Sequence, residues 1–305
     1  MPSRQHDFVA VRLRRKGLAR TGELTIGERR AEFDELARAY RLPEDVDVVA
    51  VDAGGVAAEW IAVPESTDAH VVLYLHGGGY SCGSLDSHRE LAARLARAAR
   101  ARVLQIAYRL APENPYPAAL EDAFAAYRWL CAQGEASVTV AGDSAGGGLA
   151  VALLVALREA GDPLPAAAAL FSPWVDYAGE GPSVAENADT DPIFGPDVLR
   201  EMARNYVANG DAAAVSPLNA DLRDLPPLLV QVGTTETLYD DSRRLAARAR
   251  AAGVAVVLDE YEGLLHVWHL FANVPEAADA VARAGAFLSA AAVTRARGKC
   301  DARNP

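Results

Sequence analysis

The chain has 305 residues, 51% hydrophobic and 23% charged, a balance typical of a globular protein with a large core rather than a disordered chain. Its formal net charge of -11 makes nucleic acid and anionic membranes poor partners, and we predict neither. The 3 cysteines have no paired spacing, so we predict no metal site, and we predict no cofactor. No signal-peptide core and no membrane-span-length apolar run occurs, and we therefore expect a cytoplasmic protein.

The hydrophobic periodicity changes along the chain. Residues 5–42 have helical spacing, and residues 48–51 and 57–63 form a predicted β-hairpin. Apolar segments then alternate with helical segments, which predicts a mostly parallel sheet with helices on both faces. The predicted strands lie at 71–75, 103–107, 138–141, 167–171, 228–232 and 254–260, and the helices at 89–100, 118–131, 145–160, 240–252 and 275–291.

One long segment interrupts this alternation. Residues 176–220 are rich in Asp, Asn, Gly and Pro, with one predicted helix near 196–209. An insertion of this length between strands is usually functional. We predict a single domain over 1–305, with a lid formed by about 1–45 and the insertion at about 176–220.

The strongest local motif is Gly142-Asp143-Ser144-Ala145-Gly146, which lies between a predicted strand and a predicted helix. In this strand–turn–helix context, G-x-S-x-G is typical of the nucleophile of an α/β-hydrolase fold. A sharp turn exposes the Ser144 hydroxyl, and the flanking glycines avoid collisions there. The alternative is an ordinary Gly-rich loop, while the pattern of a phosphate-binding loop is not present.

A second glycine-rich motif, His76-Gly77-Gly78-Gly79-Tyr80, follows the strand at 71–75. Consecutive glycines can turn their N–H groups inward as oxyanion donors. Together with Gly142–Gly148, this motif resembles the hormone-sensitive lipase family of α/β-hydrolase carboxylesterases. The resemblance extends over roughly residues 45–290 and includes the segments 108–113, 117–119 and 172–174.

The resemblance has implications for the fold and the oxyanion hole. It implies an eight-stranded α/β-hydrolase sheet and a helical lid. The N–H groups of Gly78, Gly79 and Ala145 would form the hole, with Gly77 a further candidate, and His76 would brace the loop. Among relatives, the chain is similar to bacterial short-chain esterases and monoterpene ε-lactone hydrolases.

The fold requires an acid and then a histidine after the serine. Only His266 and His269 follow Ser144, and we predict His266 as the base and His269 as a packing residue. The family resemblance places the base at His266 and the acid three residues after Gly233, at Glu236.

Two other carboxylates compete with Glu236. Asp240 and Asp241 are alternative acids, although both suit the start of the helix that follows. We expect Asp143 to pair locally, in the region of Arg109.

Four aromatic residues are candidates for lining the substrate pocket, namely Tyr80, Trp174, Phe194 and Trp268. We predict a serine carboxylesterase that hydrolyses short- to medium-chain esters through an acyl-enzyme, with a small apolar ester or lactone as substrate. Lactone hydrolysis and acyl transfer by the same residues, or a non-catalytic ligand-binding protein, are the alternatives. A homodimer is left open.

Overall fold

A computed structural model describes residues 1–16, 24–37, 40–134 and 137–301, so predictions for residues outside these ranges are not addressed. Eight strands form one sheet in the order β1-β2-β4-β3-β5-β6-β7-β8. The strands are β1 Asp47–Asp52, β2 Ala57–Ala62, β3 Thr67–Leu75, β4 Ala101–Ile106, β5 Val138–Asp143, β6 Ala168–Phe171, β7 Leu228–Gly233 and β8 Val256–Tyr261.

Strand β2 is antiparallel to both of its neighbours, β1 and β4, whereas all the other neighbouring strands are parallel. This arrangement confirms the predicted hairpin and the mostly parallel eight-stranded sheet. Because the parallel strands share one direction, the loops after β5, β6, β7 and β8 meet at one edge of the sheet.

Helices cover both faces of the sheet. They are α1 Arg4–Lys16, α2 Ile26–Ala37, α3 Leu85–Ala99, α4 Ala118–Ala132, α5 Ala145–Ala160, α6 Ser183–Glu186, α7 Pro196–Val207, α8 Ala212–Val215, α9 Tyr239–Ala251 and α10 Pro275–Asp301, with 3₁₀ turns at Pro217–Asn219 and Trp268–Leu270. Among the residues described, no helix is long and apolar enough to cross a membrane.

Two helices differ from the predicted bounds. Helix α3 begins at Leu85 rather than near residue 89, because Ser84 and Ser87 form a reciprocal capping box at its start. Helix α10 continues to Asp301 rather than ending near residue 291.

Alternate strand residues enter opposite cores, as the two-residue period of a strand requires. Leu73 and Val140 pack in the core that includes residues of α4 and α5. Val72 and Ala141 pack on the other face with residues of α3 and α10. The central strands are therefore buried on both faces, which explains why their sequences are apolar throughout.

The insertion at 176–220 contains three short helices and a 3₁₀ turn, where one helix was predicted. Its longest helix, α7, has Pro196 at its start and a buried face at helical spacing that includes Val198, Met202 and Tyr206. The insertion contacts the N-terminal helices: Arg14 Nη2 donates to the Thr190 carbonyl at 2.9 Å. Its role as a lid stays a prediction.

Candidate active site

The turn between β5 and α5 carries Ser144 in a strained conformation. Its φ of 52° and ψ of -120° lie outside the regions that non-glycine residues usually adopt, at a cost of about 1–3 kcal/mol. A Cβ on Gly146 would overlap the Leu75 carbonyl, and one on Gly142 would overlap the Gly146 carbonyl. Both glycines are therefore required for the close approach of this turn to β3.

His266 lies in the loop after β8, beside Glu236 from the turn after β7. Its Nδ1 is 3.4 Å from Glu236 Oε1, and the two side chains are almost fully buried. His266 Nε2 has no hydrogen-bond partner in the described part of the chain, so it remains available to accept a proton.

Burial and mutual charge act in opposite directions on this pair. Burial alone would lower the pKa of His266, but the adjacent Glu236 carboxylate favours the imidazolium and raises the pKa above 6.5. Burial raises the pKa of Glu236, and the contacts with His266 and Ser172, which lower it, only partly offset this effect. The Glu236 carboxylate thus increases the basicity of the His266 imidazole.

Ser172 is a site residue to which the sequence analysis gave no role. Its Oγ donates to Glu236 Oε2 at 2.8 Å and accepts the Val267 N–H at 3.2 Å. Ser172 has a positive φ of 47° and directly follows β6, the strand between β5 and β7. Its position at the carboxyl end of that strand was the signal that could have identified it.

Asp240 and Asp241 are not placed at His266. Asp240 Oδ2 accepts the Ser183 N–H at 2.8 Å, and Asp241 Oδ2 accepts the N–H groups of Val175 and Asp176 at 2.9 and 2.8 Å. The predicted role of these carboxylates in capping their own helix is wrong, because α9 has no side-chain cap. Both instead hold the start of the insertion.

The glycine loop after β3 presents its N–H groups unequally. Gly77 N–H donates to Asp143 Oδ1 at 3.0 Å and also faces His88. Gly78 and Gly79 have φ values of 116° and 60°, and within the described residues their N–H groups have no acceptor. Ala145 N–H lies at the start of α5. Gly77 N–H is thereby engaged, and the role of Gly78, Gly79 and Ala145 as oxyanion donors stays a prediction.

Asp143 ties this glycine loop to the serine turn. Besides Gly77 N–H, its carboxylate accepts the Tyr74 hydroxyl at 2.7 Å and lies 3.3 Å from His88 Nε2. Burial would raise the pKa of Asp143, but His88 and Tyr74 outweigh burial and lower it. The expected pairing near Arg109 is wrong, since Arg109 bonds to Asp122.

His76 and His269 both have packing positions. His76 is buried, its ring stacks on Tyr108 at 4.2 Å, and its Nδ1 contacts the Gly77 carbonyl at 2.8 Å, as a brace for the loop would. His269 is fully buried, stacks on Phe171 and contacts Gln231.

A cavity of about 90 Å³ lies between the N-terminal helices and the insertion. Its wall includes Gly78 of the glycine loop and Phe194, whose ring is 4.9 Å from that of His266. Its other walls are mostly apolar and include Leu13, Phe33 and Met202.

Of the four aromatic candidates, only Phe194 lines this cavity. Tyr80 is fully buried and stacks on Tyr206 at 3.6 Å, while Trp268 packs in a separate core cluster. Trp174 is buried beside Tyr80 and borders a different cavity. Large aromatic side chains fill cores more often than they line sites, which is the reason for these three corrections.

The strand order, the serine turn and the His266–Glu236 pair define an α/β hydrolase. A family model described as the alpha/beta hydrolase fold matches residues 72–270. The chain belongs to the hormone-sensitive lipase family of α/β-hydrolase carboxylesterases.

Solved structures and sequence relatives agree with this assignment. A crystal structure described as an esterase from the bacterial hormone-sensitive lipase family is 44% identical, with a TM-score of 0.92 over 96% of this chain and 99% of that one. An acetyl-hydrolase of Streptomyces hygroscopicus is 47% identical over 89% of this chain and 92% of its own length. Carboxylesterase NlhH of Mycobacterium tuberculosis is 38% identical over 72% of this chain and 73% of its own length.

Proposed function

We propose that this hydrolase cleaves small carboxylic esters by a serine mechanism, with Ser144 as nucleophile, His266 as base and Glu236 as acid. The observation that carries the proposal is the His266–Glu236 ion pair, in which Nδ1 lies 3.4 Å from Oε1 while Nε2 has no hydrogen-bond partner among the described residues. A carboxylate at Nδ1 fixes the tautomer in which Nε2 can accept a proton.

The reaction then follows in two halves. Ser144 Oγ attacks the ester carbonyl, and its proton passes to His266 Nε2. The resulting oxyanion accepts hydrogen bonds from Gly78, Gly79 and Ala145, each worth roughly 3–4 kcal/mol in such sites. His266 donates the proton to the departing alcohol, leaving an acyl-enzyme. Water, deprotonated by His266, attacks the acyl carbon and releases the acid and Ser144.

The cavity supports a small acyl or alcohol group. Its volume of about 90 Å³ and its largely apolar walls suit a short chain better than a long fatty acyl chain. The relative named acetyl-hydrolase is consistent with a small acyl group. We expect rates to be highest for acetate to butyrate esters and to fall with longer chains.

The decisive variant is Ser144→Ala, assayed on p-nitrophenyl acetate and butyrate. We expect hydrolysis to fall by about 10⁴-fold or more, because no other group can form the acyl-enzyme. Ser289→Ala, on the distant helix α10, is the control and should retain full activity. Mass spectrometry after treatment with a sulfonyl fluoride should locate the adduct on Ser144. Full hydrolysis by Ser144→Ala would rule out the serine mechanism.

Product analysis separates the remaining alternatives. A simple lactone and a linear ester are compared, with and without a competing alcohol. A faster rate on the lactone would identify a lactonase, and a new ester formed with the alcohol would identify an acyltransferase. A protein that binds esters without cleaving either substrate would be a ligand-binding relative.

A further inference from the structure

Arg29, on helix α2, lines the cavity and is an unusual wall residue there. Its side chain is only 8% exposed, and its Nη2 is buried without a hydrogen-bond partner among the described residues. The ionic contact seen for it in the described part of the chain is with Glu201 Oε2, 3.6 Å from Arg29 Nη2, which is too long for a hydrogen bond. A buried guanidinium usually has several hydrogen-bond partners, since leaving its donors unpaired is costly.

In the next residue, Arg30, every guanidinium nitrogen donates a hydrogen bond. Its guanidinium donates to the carbonyls of Ser81 and Ala111 and, at 2.7 and 3.0 Å, to the Glu113 carboxylate. The described residues thus place acceptors around Arg30 but none within hydrogen-bond distance of Arg29 Nη2. Within the described residues, Arg29 therefore lacks the acceptors that Arg30 has.

The other charged residue in the cavity wall is already neutralised. Glu90 accepts two hydrogen bonds of 2.9 Å from Arg94. Among the described charged residues of the wall, Arg29 is consequently the one with an unpaired donor, Nη2, whose contact with Glu201 is long at 3.6 Å. The wall also includes the apolar side chains of Phe33 and Met202, and Met202 lies against Gly79 of the glycine loop.

We propose that Arg29 determines substrate specificity by binding an anionic oxygen at the far end of the ester, such as a carboxylate. The inference rests on the proposed function, because the same cavity reaches Gly78 and Phe194 at the catalytic groups. A short apolar spacer would cross the cavity, and the carboxylate would replace the long Glu201 contact with direct charge-assisted hydrogen bonds.

The test uses pairs of esters that differ only in the remote carboxylate. On the acyl side, the pair is monoethyl glutarate and ethyl valerate; on the alcohol side, it is 4-acetoxybutanoate and butyl acetate. For each pair, kcat/KM of the carboxylate ester is divided by that of the neutral ester. The side with the larger ratio identifies which half of the substrate reaches Arg29.

Arg29→Met keeps a long side chain without charge or donors. We expect it to lower this ratio by roughly 10- to 100-fold, the effect of hydrogen bonds to a charged group, while neutral esters change little. Arg29→Lys should restore part of the ratio. Glu201→Gln should raise the ratio, because it removes the carboxylate that competes for Arg29.

These opposite signs separate recognition from a structural ion pair. If Arg29 and Glu201 only join α2 to α7, both variants should lower the thermal midpoint and leave the ratio unchanged, and the inference is then overturned. It is also overturned if Arg29→Met lowers kcat/KM equally for both members of each pair. If the wild-type protein hydrolyses none of the four esters, the proposed function itself fails.

Discussion

Replacing Glu236 by Gln keeps the size of the side chain and removes its charge. In the native site, the carboxylate is fully buried, lies 3.4 Å from His266 Nδ1 and accepts the Ser172 hydroxyl at 2.8 Å. Loss of one partner from such a buried ionic pair costs about 3–5 kcal/mol. We therefore expect kcat to fall by roughly 10²- to 10⁴-fold. The loss falls on kcat because His266 becomes positively charged, and pairs with the full opposite charge of Glu236, only after it has taken the proton of Ser144.

The pH profile provides a second readout with a defined sign. His266 must be neutral to accept the proton of Ser144, so activity is lost as the pH falls through its pKa. In the wild-type protein, Glu236 raises that pKa above 6.5. In Glu236→Gln, the main charge that opposes burial is lost and only the weaker effects of Asp191 and Asp143 remain, so the pKa of His266 falls and the acidic limb of kcat/KM should move to lower pH. Stopped-flow or steady-state hydrolysis of p-nitrophenyl acetate between about pH 5 and 9 measures both effects.

Asp240→Asn is the matched control for Glu236→Gln. Asp240 carries the same charge on the same segment but accepts the Ser183 N–H, away from His266. It should retain near-wild-type kcat and an unshifted acidic limb. Wild-type kcat in Glu236→Gln, or an equally large loss in Asp240→Asn, would refute the assignment of Glu236 as the acid.

Two further variants test the groups around this pair. Ser172→Ala removes a hydrogen bond of 2.8 Å to Glu236 and should lower kcat by roughly 10- to 100-fold with little change in KM; a change confined to KM would contradict a positioning role. Gly79→Ala places a Cβ against Met202 Sδ and should lower kcat by roughly 10- to 100-fold by displacing the glycine loop. Adding Met202→Ala should restore part of that loss, and a double variant no better than Gly79→Ala would disprove this steric explanation.

The sequence predicted those parts of the site that a single turn encodes. Ser144 lies between two glycines at the end of β5, and the steric need for Gly142 and Gly146 is local. The choice between Glu236 and Asp240 is different, because both follow β7 within one short segment and either could face the sheet edge. Packing of the insertion decides it, since Ser183 engages Asp240.

Three of the four aromatic candidates do not line the cavity, for a related reason. Tyr80 and Trp174 have the composition of a pocket wall, but their rings pack against each other at 6.1 Å inside the core. The cavity is instead walled by side chains from segments far apart in sequence, such as Leu13 and Met202. No local pattern brings these segments together, so the identity of the wall residues had to come from the structure.

The order of the strands explains why residues so distant in sequence act together. Strands β5, β6, β7 and β8 are neighbours in that order, and all run parallel. The loop after each strand contributes one side chain, in sequence Ser144, Ser172, Glu236 and His266. Ser172 occupies the position between the serine and the acid, and it bonds to both Glu236 and the N–H of Val267. Ser172 therefore links Glu236, the proposed acid, to the loop that carries His266, the proposed base.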